Sequence, residues 1–113
     1  MENLRKFYID GQWVDPISTQ TIQVVNPATE EKIGDVVLGN ADDVDRAVAA
    51  ASSAFEKFSQ FSKKDRLDLL KTVLFITDRR LEDLAQAMSM EMGAPITMAR
   101  SAQADAAIGH LKG

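Results

Sequence analysis

The fold is decided at Asn26-Pro27-Ala28-Thr29-Glu30-Glu31-Lys32-Ile33-Gly34, where a run of β-branched residues is interrupted and an extended pattern then resumes. Asn26 favours turn conformations, and Pro27 lacks the backbone N–H that a sheet requires. The stretch therefore predicts a turn between a strand at Thr21–Val25 and a strand at Ile33–Leu38.

A second hairpin is predicted closer to the amino terminus. Phe7–Ile9 and Gln12–Val14 are short apolar runs on either side of Asp10-Gly11, and Asp-Gly is a strong signal for a two-residue hairpin turn. Residues 1–39 are therefore expected to form a small antiparallel β layer. Such a layer is rarely stable until another layer covers its apolar face.

From Asn40 onward the apolar residues recur with the period of amphipathic helices. Asn40 and Ser62 are the predicted N-caps of the first two helices, and Gly93 suits the left-handed position that ends the third. Pro95 is predicted to begin the fourth helix, at the position that proline tolerates best, and this helix runs toward Leu111. Asp42, Asp43 and Asp45 are expected in the first turn of the first helix, where the helix dipole stabilises negative charge.

The predicted fold class is α+β: two antiparallel hairpins in residues 1–39, then about four helices in residues 40–113. Each helix has an apolar stripe, and the stripe of the second helix is expected to face inward. The stripes are Val44, Ala47, Val48, Ala51, Phe55 and Phe58; Leu67, Leu70, Val73, Leu74 and Thr77; Leu81, Leu84, Ala85, Met88 and Met92; and Ile96, Ala99, Ala102, Ala106 and Ile108.

The composition is typical of a soluble globular chain. Hydrophobic residues make up 45% and charged residues 27% of the 113 positions, unlike the composition of a disordered segment. With 13 basic and 17 acidic residues, the net charge of -4 disfavours binding to a nucleic acid backbone. No apolar run is long enough for a signal-peptide core or a membrane span, so a cytoplasmic location is expected.

Few side chains could perform chemistry. His110 is the only histidine, and its five-residue spacing from Asp105 turns the two side chains apart, so we expect a histidine of the last helical turn and not a catalytic triad. The glycines lack the spacing of a phosphate-binding loop. Met88 and Met92 are expected to pack in the core. The absence of cysteine excludes a thiol nucleophile, a disulfide framework and a thiolate metal site.

Taken together, these motifs resemble the amino-terminal segment of the NAD(P)-dependent aldehyde dehydrogenase superfamily. The resemblance extends from about Phe7 to Gly113 and depends on the turn quoted above, on the helix that contains Asp42–Ala51, and on Glu91-Met92-Gly93-Ala94-Pro95. It implies that residues 1–113 are the amino-terminal part of the family's larger α/β cofactor-binding domain.

Members of this family oxidise an aldehyde to a carboxylic acid through a cysteine thiohemiacetal and hydride transfer to NAD or NADP. Because this chain has no cysteine, the resemblance implies a fragment of such an enzyme that is inactive alone, has no catalytic or cofactor-binding residue of its own, and has the remainder of the polypeptide as its partner. The alternative is a free-standing, non-catalytic helical interaction module derived from the family. In either case the apolar stripes predict self-association as a homo-oligomer.

The resemblance also implies a structural monovalent cation. In the family, a main-chain carbonyl just before Asn-Pro and an acidic residue just before a Gly-x-Pro turn bind the cation, and the matching positions here are Val25 and Glu91. The family more often has aspartate at the second position and lysine after the glycine, where this chain has Glu91 and Ala94. The alternative for Glu91 is a solvent-facing glutamate. Residues near Asp105 and Ala106 are implied to line the substrate entrance.

Overall fold

The computed structural model describes residues 3–113 and has the predicted α+β architecture, with two antiparallel hairpins followed by helices. The elements are β1 (Phe7–Ile9), β2 (Gln12–Val14), β3 (Thr21–Val25), β4 (Lys32–Val37), α1 (Ala41–Phe58), α2 (Lys63–Arg79), α3 (Leu81–Met92), α4 (Ile96–Met98), a π-helical segment (Ala99–Ala104) and α5 (Asp105–Lys112). None of the helices within residues 3–113 combines the length and apolar character needed to cross a membrane.

The chain forms two compact units. The first unit contains the residues up to Val24 together with Lys32–Gln60, and the second contains Val25–Glu31 and Phe61–Gly113. The first unit therefore holds both hairpin ladders and α1, whereas the second holds the turn after β3 and the remaining helices.

The first hairpin forms as predicted. β1 and β2 pair antiparallel with Tyr8 opposite Trp13, and the two rings meet edge to face with their centroids 5.2 Å apart. Asp10 and Gly11 both have positive φ angles, 52° and 75°, as a type I′ turn requires. The predicted turn residues are thus confirmed by the backbone conformation.

The second hairpin is displaced by one residue from the prediction of Ile33–Leu38. β4 begins at Lys32 and ends at Val37, so Leu38 lies outside the strand. The N–H of Leu38 still donates to the carbonyl of Gln20 at 2.8 Å. The pairing thus continues beyond the strand assigned by regular geometry.

Both predicted N-caps of the long helices are present, and each is a capping box. Asn40 Oδ1 accepts from the N–H of Asp43, whose carboxylate accepts in turn from the N–H of Asn40. Ser62 and Asp65 make the same reciprocal pair at the start of α2. Each pair satisfies two backbone donors that the first helical turn leaves without an intrahelical partner.

The core of the second unit is a contact among three fully buried alanines, Ala85, Ala99 and Ala104. Small side chains allow α3 and the π-helical segment to approach closely. Five partly buried residues pack around the contact: Leu81, Leu84, Met88, Ala94 and Ile96. The predicted apolar stripe of the third helix thus faces this contact at Leu81, Leu84, Ala85 and Met88.

Gly93 ends α3 as predicted, with φ 72° and its N–H donating to the carbonyl of Ser89. The prediction for Pro95 is wrong by one position. Pro95 has a ψ of 133°, which is extended, so it is the N-cap residue and the helix begins at Ile96. Proline fits this place equally well because it has no N–H to leave unpaired.

The apolar stripe predicted for the fourth helix is partly wrong. Ala99 and Ile108 are buried as expected, but Ala104 is also buried while Ala102 and Ala106 are exposed. The reason is the π-helical segment. Its wider turn places residues five apart on one face, whereas the prediction assumed an unbroken period of 3.6.

Much of the apolar surface predicted to be internal is exposed in residues 3–113. Leu67, Leu70 and Val73 of α2 are 44%, 49% and 41% exposed, so their predicted inward orientation is wrong, and only Leu74 and Thr77 are partly buried. The stripe of α1 is also exposed at Val44, Val48, Ala51, Phe55 and Phe58. Periodicity identifies the apolar face of a helix, but it does not reveal what covers that face.

We predict that Gly93→Ala destabilises the second unit by at least about 1 kcal/mol, because an L-residue disfavours a positive φ. In addition, a Cβ at residue 93 would lie 2.8 Å from Cγ of Pro27. The free energy of unfolding in urea measures the effect.

Gly109→Ala is the matched control. An added Cβ at position 109 has no neighbour within 4 Å, and Gly109 lies inside α5. This substitution should stabilise the chain by roughly 0.5–1 kcal/mol. Equal effects of the two alanines would contradict the assigned turn.

Candidate functional site

The turn after β3 packs against the end of α3 within the second unit. The N–H of Asn26 donates to the carbonyl of Glu31, and Asn26 Oδ1 accepts from the N–H of Ala28, so the turn is closed by its own hydrogen bonds. Pro27 of this turn lies so close to Gly93 that a side chain at position 93 would collide with the ring. The contact fixes the turn relative to the carboxyl end of α3.

This contact joins the two segments of the chain that carry the predicted cation ligands. Val25 precedes Pro27 by two residues, and Glu91 precedes Gly93 by two residues. Val25 is 44% exposed, and Glu91 is also exposed, in the last turn of α3. A carbonyl and a carboxylate oxygen from these residues suit a hard cation. Residues 3–113 contain no cluster of three or more acidic, histidine or cysteine side chains suited to a metal ion.

Asp43 is a residue whose importance the sequence analysis missed. Its side chain is buried, and its two carboxylate oxygens accept from the backbone N–H groups of Ile17 at 2.8 Å, Ser18 at 3.1 Å and Asn40 at 3.2 Å. The hydrogen bond from Ile17 is the main reason that the pKa of Asp43 lies below its ordinary value, although burial opposes the shift. Asp43 thus fastens the loop after β2 to the first turn of α1.

A signal for part of this role is present in the sequence. Asn40 and Asp43 have the three-residue spacing of a capping box, which identifies Asp43 as the partner of the N-cap. The bonds from Ile17 and Ser18 come from residues 25 or more positions away, and no local pattern predicts them.

An ion pair between Glu82 and Arg100 links α3 to the π-helical segment. Nε and Nη2 of Arg100 each donate to one carboxylate oxygen at 2.7 Å. These bonds, followed by one from Gln86, lower the pKa of Glu82 to about 2. Because both side chains are about half exposed, solvent screens the pair, and its value lies mainly in aligning the two elements.

The remaining side chains that could perform chemistry are a histidine, a serine and two methionines of the helices, and none of them forms a reactive group with a neighbour within residues 3–113. His110 is exposed in the last turn of α5, as predicted. The hydroxyl of Ser101 donates to the carbonyl of Thr97 in its own helix. Met88 packs against the core as predicted, but Met92 is 65% exposed, so the prediction for Met92 is wrong. Met92 adjoins the left-handed turn at Gly93, where the helical stripe ends.

Two surface grooves have mainly apolar walls. One groove, of about 300 Å³, lies between β1 and α1 in the first unit, and a second, of about 320 Å³, lies between α2 and α3 in the second unit. The first is lined by Phe7, Tyr8, Ile9, Gly39, Asp43, Val44 and Ala47. Its one carboxylate is already occupied by backbone donors, so the groove offers a packing surface and not a reactive group.

Comparison with known proteins gives a consistent family. A family profile with the description "Aldehyde dehydrogenase family" matches residues 13–112 of the chain. Over 111 residues the chain is 45% identical to 3-succinoylsemialdehyde-pyridine dehydrogenase of a Pseudomonas species, an alignment that covers 97% of this chain and 23% of that protein.

Solved structures agree with this match. A mutant of aldehyde dehydrogenase C from Pseudomonas syringae, crystallised with NAD⁺ and octanal, is 47% identical with a TM-score of 0.94, covering 97% of this chain and 23% of that chain. An aldehyde dehydrogenase from Bartonella henselae is 41% identical with a TM-score of 0.95, and the match covers 99% of this chain and 24% of that chain. The chain thus spans about a quarter of the length of these relatives.

We predict that Asp43→Asn destabilises the first unit in a pH-dependent way. An amide at this position replaces one acceptor oxygen by a donor, which leaves a buried N–H group unsatisfied. Because the folded pKa is lowered, the carboxylate stabilises the fold above the unfolded pKa of about 3.8, and this contribution disappears as the pH falls through the folded pKa. Urea unfolding between pH 2 and 7 measures the difference between parent and variant.

Asp42→Asn is the matched control, because Asp42 is an exposed acidic residue in the same helical turn. We expect a small, weakly pH-dependent effect from it. A parent and an Asp43→Asn chain with parallel pH profiles would rule out the role assigned to the carboxylate.

Proposed function

Because the chain belongs to the aldehyde dehydrogenase family, we propose that it serves as the amino-terminal part of the cofactor-binding domain of an NAD(P)-dependent aldehyde dehydrogenase. The observation that carries this proposal is the match of nearly the whole chain to about a quarter of each relative. A crystallised relative with bound NAD⁺ and octanal supports the reaction class, oxidation of an aldehyde to a carboxylic acid with hydride transfer to a nicotinamide.

We expect no cofactor site or catalytic nucleophile within these residues. Its glycines lack the spacing that lets backbone amides close around a phosphate, and it has no cysteine to act as nucleophile. We therefore assign both functions to the part of the enzyme that these residues do not include. The role left to residues 3–113 is that of a scaffold layer, with a cytoplasmic location as part of the same proposal.

The exposed apolar faces support the scaffold role. Apolar side chains such as Val48 and Phe55 of α1 and Leu70 and Ile76 of α2 are between 49% and 62% exposed. In the complete enzyme these faces would be covered by the remaining three-quarters of the polypeptide. In the isolated chain they favour contact between copies, and this is the basis of the proposed homo-oligomer. The short coverage of the relatives favours a scaffold over a free-standing interaction module.

We predict that the 113-residue chain produces no NADH or NADPH from an aldehyde and NAD(P)⁺, measured by absorbance, and that it self-associates in light scattering and binds an apolar dye. Extending the polypeptide to the length of its relatives should restore turnover and reduce dye binding, because the same added residues supply the thiol and cover the apolar faces. Turnover by the 113-residue chain would refute the proposal, as would a monodisperse monomer that binds no dye.

We further propose that the carbonyl of Val25 and the carboxylate of Glu91 bind a structural monovalent cation. The packing of Pro27 on Gly93 supports this proposal, because it constrains the segments that carry both ligands. Glutamate is one methylene longer than the aspartate common in the family. The exposed position of Glu91 leaves room for the longer side chain to reach a cation near the turn.

We predict that K⁺ or Na⁺ raises the melting midpoint of the chain relative to tetramethylammonium at equal ionic strength, because a ligand that binds only the folded state stabilises it. Glu91→Gln should abolish this difference, and Glu91→Asp should retain it. Glu56→Gln, which removes an exposed carboxylate of α1, is the control for a general effect of charge. A difference that persists in Glu91→Gln would exclude Glu91 as a ligand.

A further inference from the structure

The π-helical segment Ala99–Ala104 interrupts an otherwise continuous helical run from Ile96 to Lys112. No proline or glycine occurs within the segment. The residues that flank it, Met98 and Asp105, both have right-handed helical backbone angles. Local sequence therefore does not explain the wide turn, and its cause must lie in the packing on either side of it.

The packing fixes the segment at both ends. At its start Ala99 is fully buried against Ala85, and the adjacent Arg100 holds Glu82 through two hydrogen bonds. At its end Ala104 is fully buried in the same contact, and Ile108 is buried one helical turn later. Five residue steps separate Ala99 from Ala104, whereas an α-helix would return to the same face after four.

The residue four steps from Ala99 is Gln103. In an unbroken α-helix, its long polar side chain would occupy the place of Ala104 beside Ala85. That place is filled by a fully buried methyl group and surrounded by partly buried apolar side chains, so a longer polar side chain there would force a rearrangement. One extra residue in the turn avoids this collision.

We propose that the π-helical segment sets the register of the helix. Its turn contains one residue more than an α-helical turn, and the extra residue places Ala104 and not Gln103 against Ala85. It thereby fixes the face of α5 that is directed away from the core. That face carries Asp105, Ala106 and His110, all of which are exposed. The inference concerns the second unit alone and does not depend on the proposed function.

A single-residue deletion tests the proposal. Deleting Ala102, which is exposed, leaves Ala99 and Ala104 four steps apart, so an ordinary α-helix can keep the alanine contact, the Arg100 ion pair and Ile108 in place. We expect its melting midpoint to remain within about 4 °C of the parent, the size of a change of at most 1 kcal/mol in a domain of this size. A loss of about 10 °C or more would overturn the proposal.

Deleting Ala106, another exposed alanine of the same helical run, is the matched control. It leaves too few residues between Ala104 and Ile108, so either Ile108 leaves the core or the π turn relaxes and Gln103 meets Ala85. We expect a loss of about 10 °C or more. Adding Gln103→Ala should recover most of this loss, because alanine then occupies the place beside Ala85 in a fully α-helical register. Failure of this rescue would overturn the proposal.

A cross-link measures the register without deletion. Because the chain has no cysteine, a pair introduced as Ala85→Cys and Ala104→Cys can form an intramolecular disulfide if the two positions are in contact. We expect this pair to oxidise at least tenfold faster than the pair Ala85→Cys and Gln103→Cys, with peptide mapping to separate links within one chain from links between copies. Equal rates, or faster oxidation of the second pair, would overturn the proposal.

Discussion

The structure depends on one constraint: residues 3–113 have more apolar helix surface than their own packing covers. The buried hydrophobic residues are Val37, Ala85, Ala99, Ala104 and Ile108, and three of these five are alanines. Alanine buries little area, so such a core gains little from the hydrophobic effect, whereas the larger apolar side chains of α1 and α2 remain largely in contact with solvent. A chain with this distribution must rely on local interactions for its shape and on further packing for most of its stability.

The local interactions are correspondingly well formed. Each long helix begins with a reciprocal capping box, the hairpin turn at Asp10-Gly11 has the required left-handed backbone, and α3 ends at a left-handed glycine. Asp43 extends this logic, because the same carboxylate completes a cap and binds a loop more than twenty residues away. These interactions define where elements begin and end, which explains how the strands and helices of each unit form although few side chains are buried.

The difference between local interactions and long-range packing also explains what could be predicted from sequence. β1, β2, β3, both N-caps and Gly93 are determined by residues within a few positions of each other, and each was predictable. The bonds of Asp43 to Ile17 and Ser18, the burial of Ala104 and the solvent exposure of Leu70 depend on contacts between distant residues. The candidate site shows both cases. The turn at Pro27 is a local feature, but its packing on Gly93 is visible only in the structure.

The π-helical segment lies where the local helical period and the long-range packing favour different conformations. The recurrence of Ile96, Ala99, Ala102 and Ala106 predicts a regular helix, yet a regular helix would bring Gln103 into the alanine contact. The chain retains right-handed helical geometry on both sides and accommodates the conflict with one wide turn. This turn keeps Gln103 out of the alanine contact, although its Oε1 is still buried without a hydrogen-bond partner within residues 3–113. We therefore attribute the register of α5 to the burial of Ala99 and Ala104 against α3, together with the packing of α5 itself against α2, and not to the period of its own sequence.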